Sequence, residues 1–330
     1  DFLGNTKGAM LLEPQRSNAI TYSSDFTNIG WSYFRGTITA NAIISPDGTL
    51  NASRYQEDSQ TGSHLFRKQS LSVTNGLSYT GSIFAKKGEL TSITLQSNSS
   101  SRWVASATFD LENGTVISGN GVIQNFGNGW YRCSISGNAV QNTGDAGLEM
   151  LTSTGVGRDG DGLYMYGAMF ELGSYATSLI NTQGSAVTRV ADACNNGGND
   201  QVINSTEGTL YVEANLIDGY DNNNWLGIIY DSSNANNRIY IQRYLGNIQG
   251  GIRVNGVIQS EITQSSSSLG KNKIAFTYKL NEFKMFVNGS QVGVTDTSGS
   301  VFSFNTLDVL NVGVYHNNTL QFNSGIDDVK

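Results

Sequence analysis

Proline and cysteine are nearly absent from these 330 residues, with two of each. Two cysteines, Cys133 and Cys194, make no disulfide framework, so each domain must be held by its own core. Histidine is equally scarce: His64 and His316 are the only two, and neither shows metal-ligand spacing with a cysteine. Charged residues make up 14% of the chain and the net charge is −7. Nucleic acid and anionic membrane surfaces need a basic face, so neither is expected as the main partner. No run of about 18 apolar residues is present, and no membrane insertion is expected. The first half shows no convincing helical period. Asp1 is not an initiator Met, no signal peptide is seen, and GIDDVK stops within a strand-like segment. A fragment or processed product of a longer protein is therefore expected.

Abundant Gly, Asn, Ser and Thr are interleaved with Ile, Val, Phe, Tyr and Trp, which suits short strands joined by polar turns. The length suits two domains of ~150 residues, each able to bury a core. In the first half, LSYTGSIFA from Leu77 alternates with period two, LTSITLQ follows, and WVASATFDL ends at the hairpin signal Glu112-Asn113-Gly114. A further pair surrounds Gly127-Asn128-Gly129, and LEMLTS and LYMYGAMFEL bring the count to about eight to ten strands. Cys133, inside WYRCSI, reads as a small buried hydrophobe.

After Asp192 the connector NNGGND marks a boundary. Beyond it, Leu210, Val212, Ala214 and Leu216 share one strand face, and Ile274, Phe276, Tyr278 and Leu280 share another. Asn255-Gly256 and Asn288-Gly289 are two-residue hairpin signals.

The blocks LLEPQRSNAITYSSDFTNIGW, SPDGTLNASRY, YTGSIFAKKG, ATFDLENGTV, NGWYRCSISG and YGAMFELGSYATSLINTQGSAVTRVAD occur in order. They resemble a module of phage tail fibres and secreted polysaccharide-degrading enzymes, a jelly roll similar to carbohydrate-binding modules, over roughly Gly8 to Asp192. NKIAFTYKLNEFKMFVNGSQVG and SGIDDVK resemble strands of the concanavalin A-like (laminin-G-type) lectin sandwich, over about Gln201 to Lys330. The fold expected is thus all-β, with two tandem antiparallel β-sandwiches. Residues 1–192 would form the jelly roll and residues 193–330 the concanavalin A-like domain. The two halves are not repeats of one another.

Catalytic signals are weak. Glycoside hydrolysis needs paired carboxylates across a cleft, but Glu207, Glu213, Glu261 and Glu282 are isolated in sequence. No Gly-x-Ser-x-Gly block is present. Lyases on the resembled fold use an Arg-rich strand with His and Tyr, and the second half offers only His316, in a polar loop. Sugar binding needs flat aromatic faces and fixed polar groups. Trp31 and Trp130 read as core, whereas Trp103 and Trp225 adjoin polar loops and are candidates to touch a glycan. Arg35, His64 and Arg67 flank strands of the first half, and Tyr240 and Arg243 lie on one strand of the second; they complete the candidate carbohydrate set. The resemblance implies a structural Ca2+, for which Asp159 with Asp161 and Asp218 with Asp221 are the best local clusters.

The function expected is non-catalytic carbohydrate binding by a fragment of a larger protein, extracellular or on a virion surface. A phage tail or head fibre is the leading parent, and a secreted polysaccharide lyase or glycoside hydrolase the alternative. A purely structural virion module is a further alternative. The partner would be a polysaccharide or cell-surface glycan, or other virion or parent-chain domains.

Overall fold

The computed structural model describes residues 10–99, 101–192, 194–216, 224–265, 269–316 and 325–329, without side chains at 10, 11 and 325–329. Every regular element described is a β-strand, and every strand pair is antiparallel. Two compact units result: Gln15–Arg189, and Val190–Lys330 joined by the N-terminal stretch ending at Pro14. Met10 and Leu11, read from the sequence as part of the first domain, pair instead with Ile326 and Gly325 of the second. Leu12 follows them into the second core, where it is buried.

One sheet of the first unit runs Gly121–Asn125, Trp130–Asn138, Ser78–Lys87, Gly162–Leu172, Leu50–Glu57, Gly36–Ile44. A second six-stranded sheet runs Thr115–Gly119, Ser106–Asp110, Ser92–Ser97, Thr143–Ser153, His64–Val73, Trp31–Phe34, and a two-stranded one pairs Arg16–Asn18 with Val187–Arg189. From Leu50 the chain alternates between them, Leu50–Glu57 in the first, His64–Val73 in the second, Ser78–Lys87 back in the first. Trp130–Asn138, Thr143–Ser153 and Gly162–Leu172 repeat the alternation on the way back. This sheet-hopping path is a jelly roll. Ile83, Leu95, Phe109, Cys133, Leu148, Met165 and Phe170 fill the space between the sheets. Asn128 and Gly129 turn the chain with φ of 51° and 77°, a conformation those two residue types accept most readily.

The second unit also has two sheets of six strands. One runs Met10–Leu11, Gly325–Val329, Glu207–Leu216, Gly270–Lys279, Glu282–Val287, Ser290–Asp296. The other runs Cys194–Gly197, Val309–Val312, Asn224–Asp231, Asn234–Tyr244, Asn247–Val254, Val257–Gln264. Together they make a second antiparallel β-sandwich, as expected. Leu210, Val212, Ala214 and Leu216 are all buried between the sheets, as are Ile274, Phe276 and Tyr278. Leu280 leaves the pattern: it is 60% exposed. Lys279 pairs directly with Glu282, so Leu280 and Asn281 form the turn, with Asn281 at φ 56°.

Both cysteines are free thiols. Cys133 is fully buried in the first core, and burial pushes its thiol pKa far above the usual range.

Candidate functional site

On the strand Asn234–Tyr244, Ile239 and Ile241 point into the core, so Arg238, Tyr240 and Gln242 project from the outer face. The register sets Arg238 between Tyr230 and Arg253, Tyr240 between Ile228 and Gly251, and Gln242 between Trp225 and Gln249. Gly251 lets the phenol cross the neighbouring strand, because a Cβ there would lie 2.6 Å from the Tyr240 hydroxyl. That hydroxyl reaches the Glu261 carboxylate. Burial first, and then Glu261, push the Tyr240 phenol pKa well up.

One step along the strands the face is an amide ladder. Gln242 Nε2 donates to Gln249 Oε1 at 2.8 Å, and Gln249 Nε2 donates to Thr263 Oγ1 at 3.2 Å. Aromatic rings gather beside it. Trp225 lies 5.3 Å from Tyr240 at 64° and 4.5 Å from Tyr315 at 29°. His316 follows, 4.0 Å from Tyr315 and 5.9 Å from Tyr230 between ring centroids. Arg238 holds its guanidinium 5.7 Å from the Tyr315 ring centroid, and its Nη1 donates to the Ala235 carbonyl at 2.8 Å. Tyr315, His316, Arg238, Arg253 and Gln249 are half-buried, so each keeps part of its surface toward solvent.

Burial, then the nearby Arg238 charge, hold the His316 pKa below its ordinary value, so its imidazole is neutral at neutral pH. Burial is also the main reason the Tyr230 phenol pKa is raised. Neither Tyr230 nor Tyr240 is thus poised to give up a proton near neutrality. His, Tyr and Arg side chains do meet here, the residue types a lyase on such a sheet would need, although His316 reads from the sequence as a lone loop residue. Among the described residues, no hydrogen bond joins His316 to either phenol.

The sequence candidates are placed as follows. Trp225 and Tyr240 do come together, but as the floor of this face: they are 7% and 1% exposed. The polar sequence before Trp225 therefore does not make it a free stacking surface; Tyr315 covers it. Arg243 lies on the core-facing side of the same strand and is buried, apart from Tyr240. Trp103, expected at a loop rim, is fully buried in the jelly-roll core, with Nε1 donating to the Gly147 carbonyl at 3.0 Å and its ring edge-on to Phe170. A polar loop precedes it, yet the indole turns inward and plugs the sandwich. His64 is fully buried, with Nδ1 3.1 Å from Ser153 Oγ and Nε2 3.4 Å from Asp58 Oδ1. Arg67 is half-buried between Glu149 at 3.0 Å and the Phe34 ring at 4.6 Å. Arg35 is exposed at φ 49°, with its guanidinium against Gly62.

Asp159 is exposed and Asp161 half-buried. Asp218 and Asp221 lie outside the described residues. Among the described residues, no three His, Cys, Asp or Glu side chains gather as a metal site would require.

Tyr230, Arg253, Glu261 and Tyr315 were not singled out as site residues from the sequence. The available signal was Tyr230, Arg238 and Tyr240 falling opposite buried isoleucines on consecutive strands.

No protein-family model matches this sequence, and neither does any curated protein. Among solved structures, sheep galectin-11 in complex with glycerol is similar at 14% identity, covering 37% of this chain and 86% of that one, with a TM-score of 0.24. Mouse laminin α1 domains LG4-5 match at 10% identity over 84% of this chain and 88% of that one, at 0.28. The LG1-3 region of the laminin α2 chain matches at 8% identity over 79% and 64%, at 0.32. At these values none of the three bears on function. The fold rests on the strand pairing, and the site on its own side chains.

Proposed function

We propose that this chain is a non-catalytic, carbohydrate-recognising part of a larger surface protein, and that the outer face around Tyr315 holds the glycan. One observation carries this reading: on a sheet face that faces away from the core, rings, the Arg238 guanidinium and a carboxamide ladder are fixed by their neighbours. An aromatic plane receives the C–H side of a sugar ring, and fixed amides and guanidinium groups answer its hydroxyls. Being held before the ligand arrives, these groups lose little freedom on binding. The raised phenol pKa values of Tyr230 and Tyr240 suit contact rather than proton release. A phage tail or head fibre, or a secreted polysaccharide-degrading enzyme, is the parent this reading favours.

Affinity electrophoresis through gels carrying single polysaccharides tests it. Retardation by at least one polysaccharide, weakened in Tyr315→Ala, is the expected result. No retardation by any polysaccharide would overturn the binding reading. Unsaturated or reducing products released during incubation would overturn the non-catalytic one.

A second reading draws on the edge strand Trp31–Phe34, which pairs on one side only and leaves Tyr33 and Phe34 exposed. Such an edge suits a structural virion module that adds a neighbouring subunit. Sedimentation as a stable trimer or larger assembly would favour it.

A further inference from the structure

Two guanidinium groups on the aromatic face of the second unit stand directly opposite each other. Arg238 pairs in register with Arg253 across neighbouring strands. The next pair, Ile239 with Ile252, points into the core, so both arginines project outward. Both are half-buried. Like charges set opposite one another in a sheet repel. Burial first, and with it the Arg253 charge, lower the Arg238 pKa from its ordinary 12.5. A guanidinium stays charged all the same, so the repulsion is built into the face.

Acids do not answer this charge. Among the described residues neither Arg238 nor Arg253 is in a salt bridge. Glu261 is engaged by the Tyr240 hydroxyl. Asp308, whose backbone N donates to the Tyr230 carbonyl, accepts from Ser232 N at 2.7 Å. Asp231 accepts from Ser233 N at 2.8 Å and from Asn237 Nδ2 at 3.1 Å. What the arginines do contact is neutral. Arg238 bonds the Ala235 carbonyl and lies beside the Tyr315 ring, and Arg253 bonds the Tyr240 hydroxyl. Each guanidinium carries five donors, so donors remain on both.

The chain carries −7 overall and exerts no long-range pull on a polyanion. This pair is a local exception, set beside rings that suit a sugar's C–H face and amides that suit its hydroxyls. A neutral glycan would leave the two charges facing each other. The planar fork of arginine instead matches the oxygens of a carboxylate or sulfate.

We propose that the glycan held on this face is anionic, and that a carboxylate or sulfate of one sugar residue sits between Arg238 and Arg253 while its ring meets Tyr315. This rests on the reading of the face as a glycan site and adds the charge of the ligand.

Affinity electrophoresis of the whole chain through matched gels tests it. The pairs are polygalacturonate against its methyl ester, carboxymethyl cellulose against hydroxyethyl cellulose, and dextran sulfate against dextran. Members of a pair share a backbone and differ in charge. At least one charged member should bind about tenfold more tightly than its neutral counterpart, as expected for a charge-assisted hydrogen bond. The carboxylate and sulfate pairs tell the two anions apart. Added salt should weaken the retardation. Arg238→Gln and Arg253→Gln should each remove the preference, whereas Arg253→Lys should keep part of it. Thermal melting should show both glutamine variants folded, since each also relieves the repulsion. Retardation by the neutral members equal to that by the charged ones would overturn the inference and leave the glycan reading standing. A charge preference unchanged in both glutamine variants would do the same. No retardation by any of the six would overturn it as well, whereas the glycan reading falls only if every other polysaccharide also fails.

Discussion

The indole of Trp225 lies beneath the ring of Tyr315, with centroids 4.5 Å apart and planes 29° from parallel. The two residues come from strand and loop segments far apart in the chain. Their contact divides the labour: Trp225 is buried and supports, while Tyr315 keeps an accessible surface. Tyr315→Ala should therefore weaken retention on a binding polysaccharide by about 2- to 12-fold, the equivalent of about 0.5–1.5 kcal/mol for a ring contact. Its thermal melting should shift little. Trp225→Ala should also cost about 3–5 kcal/mol of stability, as for other buried tryptophans. Chemical denaturation of both variants separates the two roles.

Trp103 should behave as a core residue only. Trp103→Ala removes a fully buried indole and leaves the Gly147 carbonyl without its donor. A loss of about 3–5 kcal/mol in the jelly-roll unit is expected. A stability within about 0.5 kcal/mol of the parent would contradict this placement.

Two glycines with nearly the same φ should respond differently to alanine. Gly289, at φ 84°, has nothing within 4 Å of a built Cβ. Only the backbone penalty applies to Gly289→Ala, about 1–2 kcal/mol. Gly119, at φ 82°, would bring a Cβ to 2.2 Å from the Ser106 carbonyl oxygen. Gly119→Ala should add about 1–3 kcal/mol to the same penalty. Urea midpoints of the two variants, compared in one experiment, check the order.

Glu57 gives an acid-side prediction. Its buried carboxylate accepts from Thr152 Oγ1 at 2.7 Å and from Arg158 N at 3.0 Å. Burial alone would raise its pKa, but these hydrogen bonds outweigh it and hold the pKa below the ordinary 4.5. A depressed folded-state pKa stabilises above the unfolded value, and that stability is lost as pH falls through the folded value. Glu57→Gln cannot titrate. Its deficit against the parent protein should be constant above about pH 5 and shrink as pH drops below 4.5. The raised pKa of Glu171 acts with the opposite sign, but it is common to both proteins and cancels. Denaturation curves from pH 3 to pH 7 measure the difference; a deficit that does not change with pH would refute the assignment.

Strand identity was legible where the pattern is local. Leu210, Val212, Ala214 and Leu216 alternate in sequence and are buried together, because successive side chains on a strand point to opposite faces. Asn255-Gly256 and Asn288-Gly289 sit in the left-handed region that their residue types favour, so both hairpins could be read directly. Leu280 shows the limit of the same rule. Its spacing continues the apolar face, but the strand ends one residue earlier, and the side chain faces water.

Exposure was the quantity that local pattern could not supply. Trp103 and Trp225 both follow polar runs, yet one plugs a sandwich and the other lies under Tyr315, since burial depends on what the rest of the chain lays over a side chain. Local patterning by itself determined that this protein is built of antiparallel strands with polar turns, because alternation and turn chemistry act between near neighbours. Only the tertiary structure decided that Met10 and Leu11 join the second sandwich, and that Tyr230, Arg238, Tyr315 and His316 share one face. Those outcomes follow from pairing register and close packing between distant segments, and short-range sequence periodicity carries no record of which distant segment will arrive.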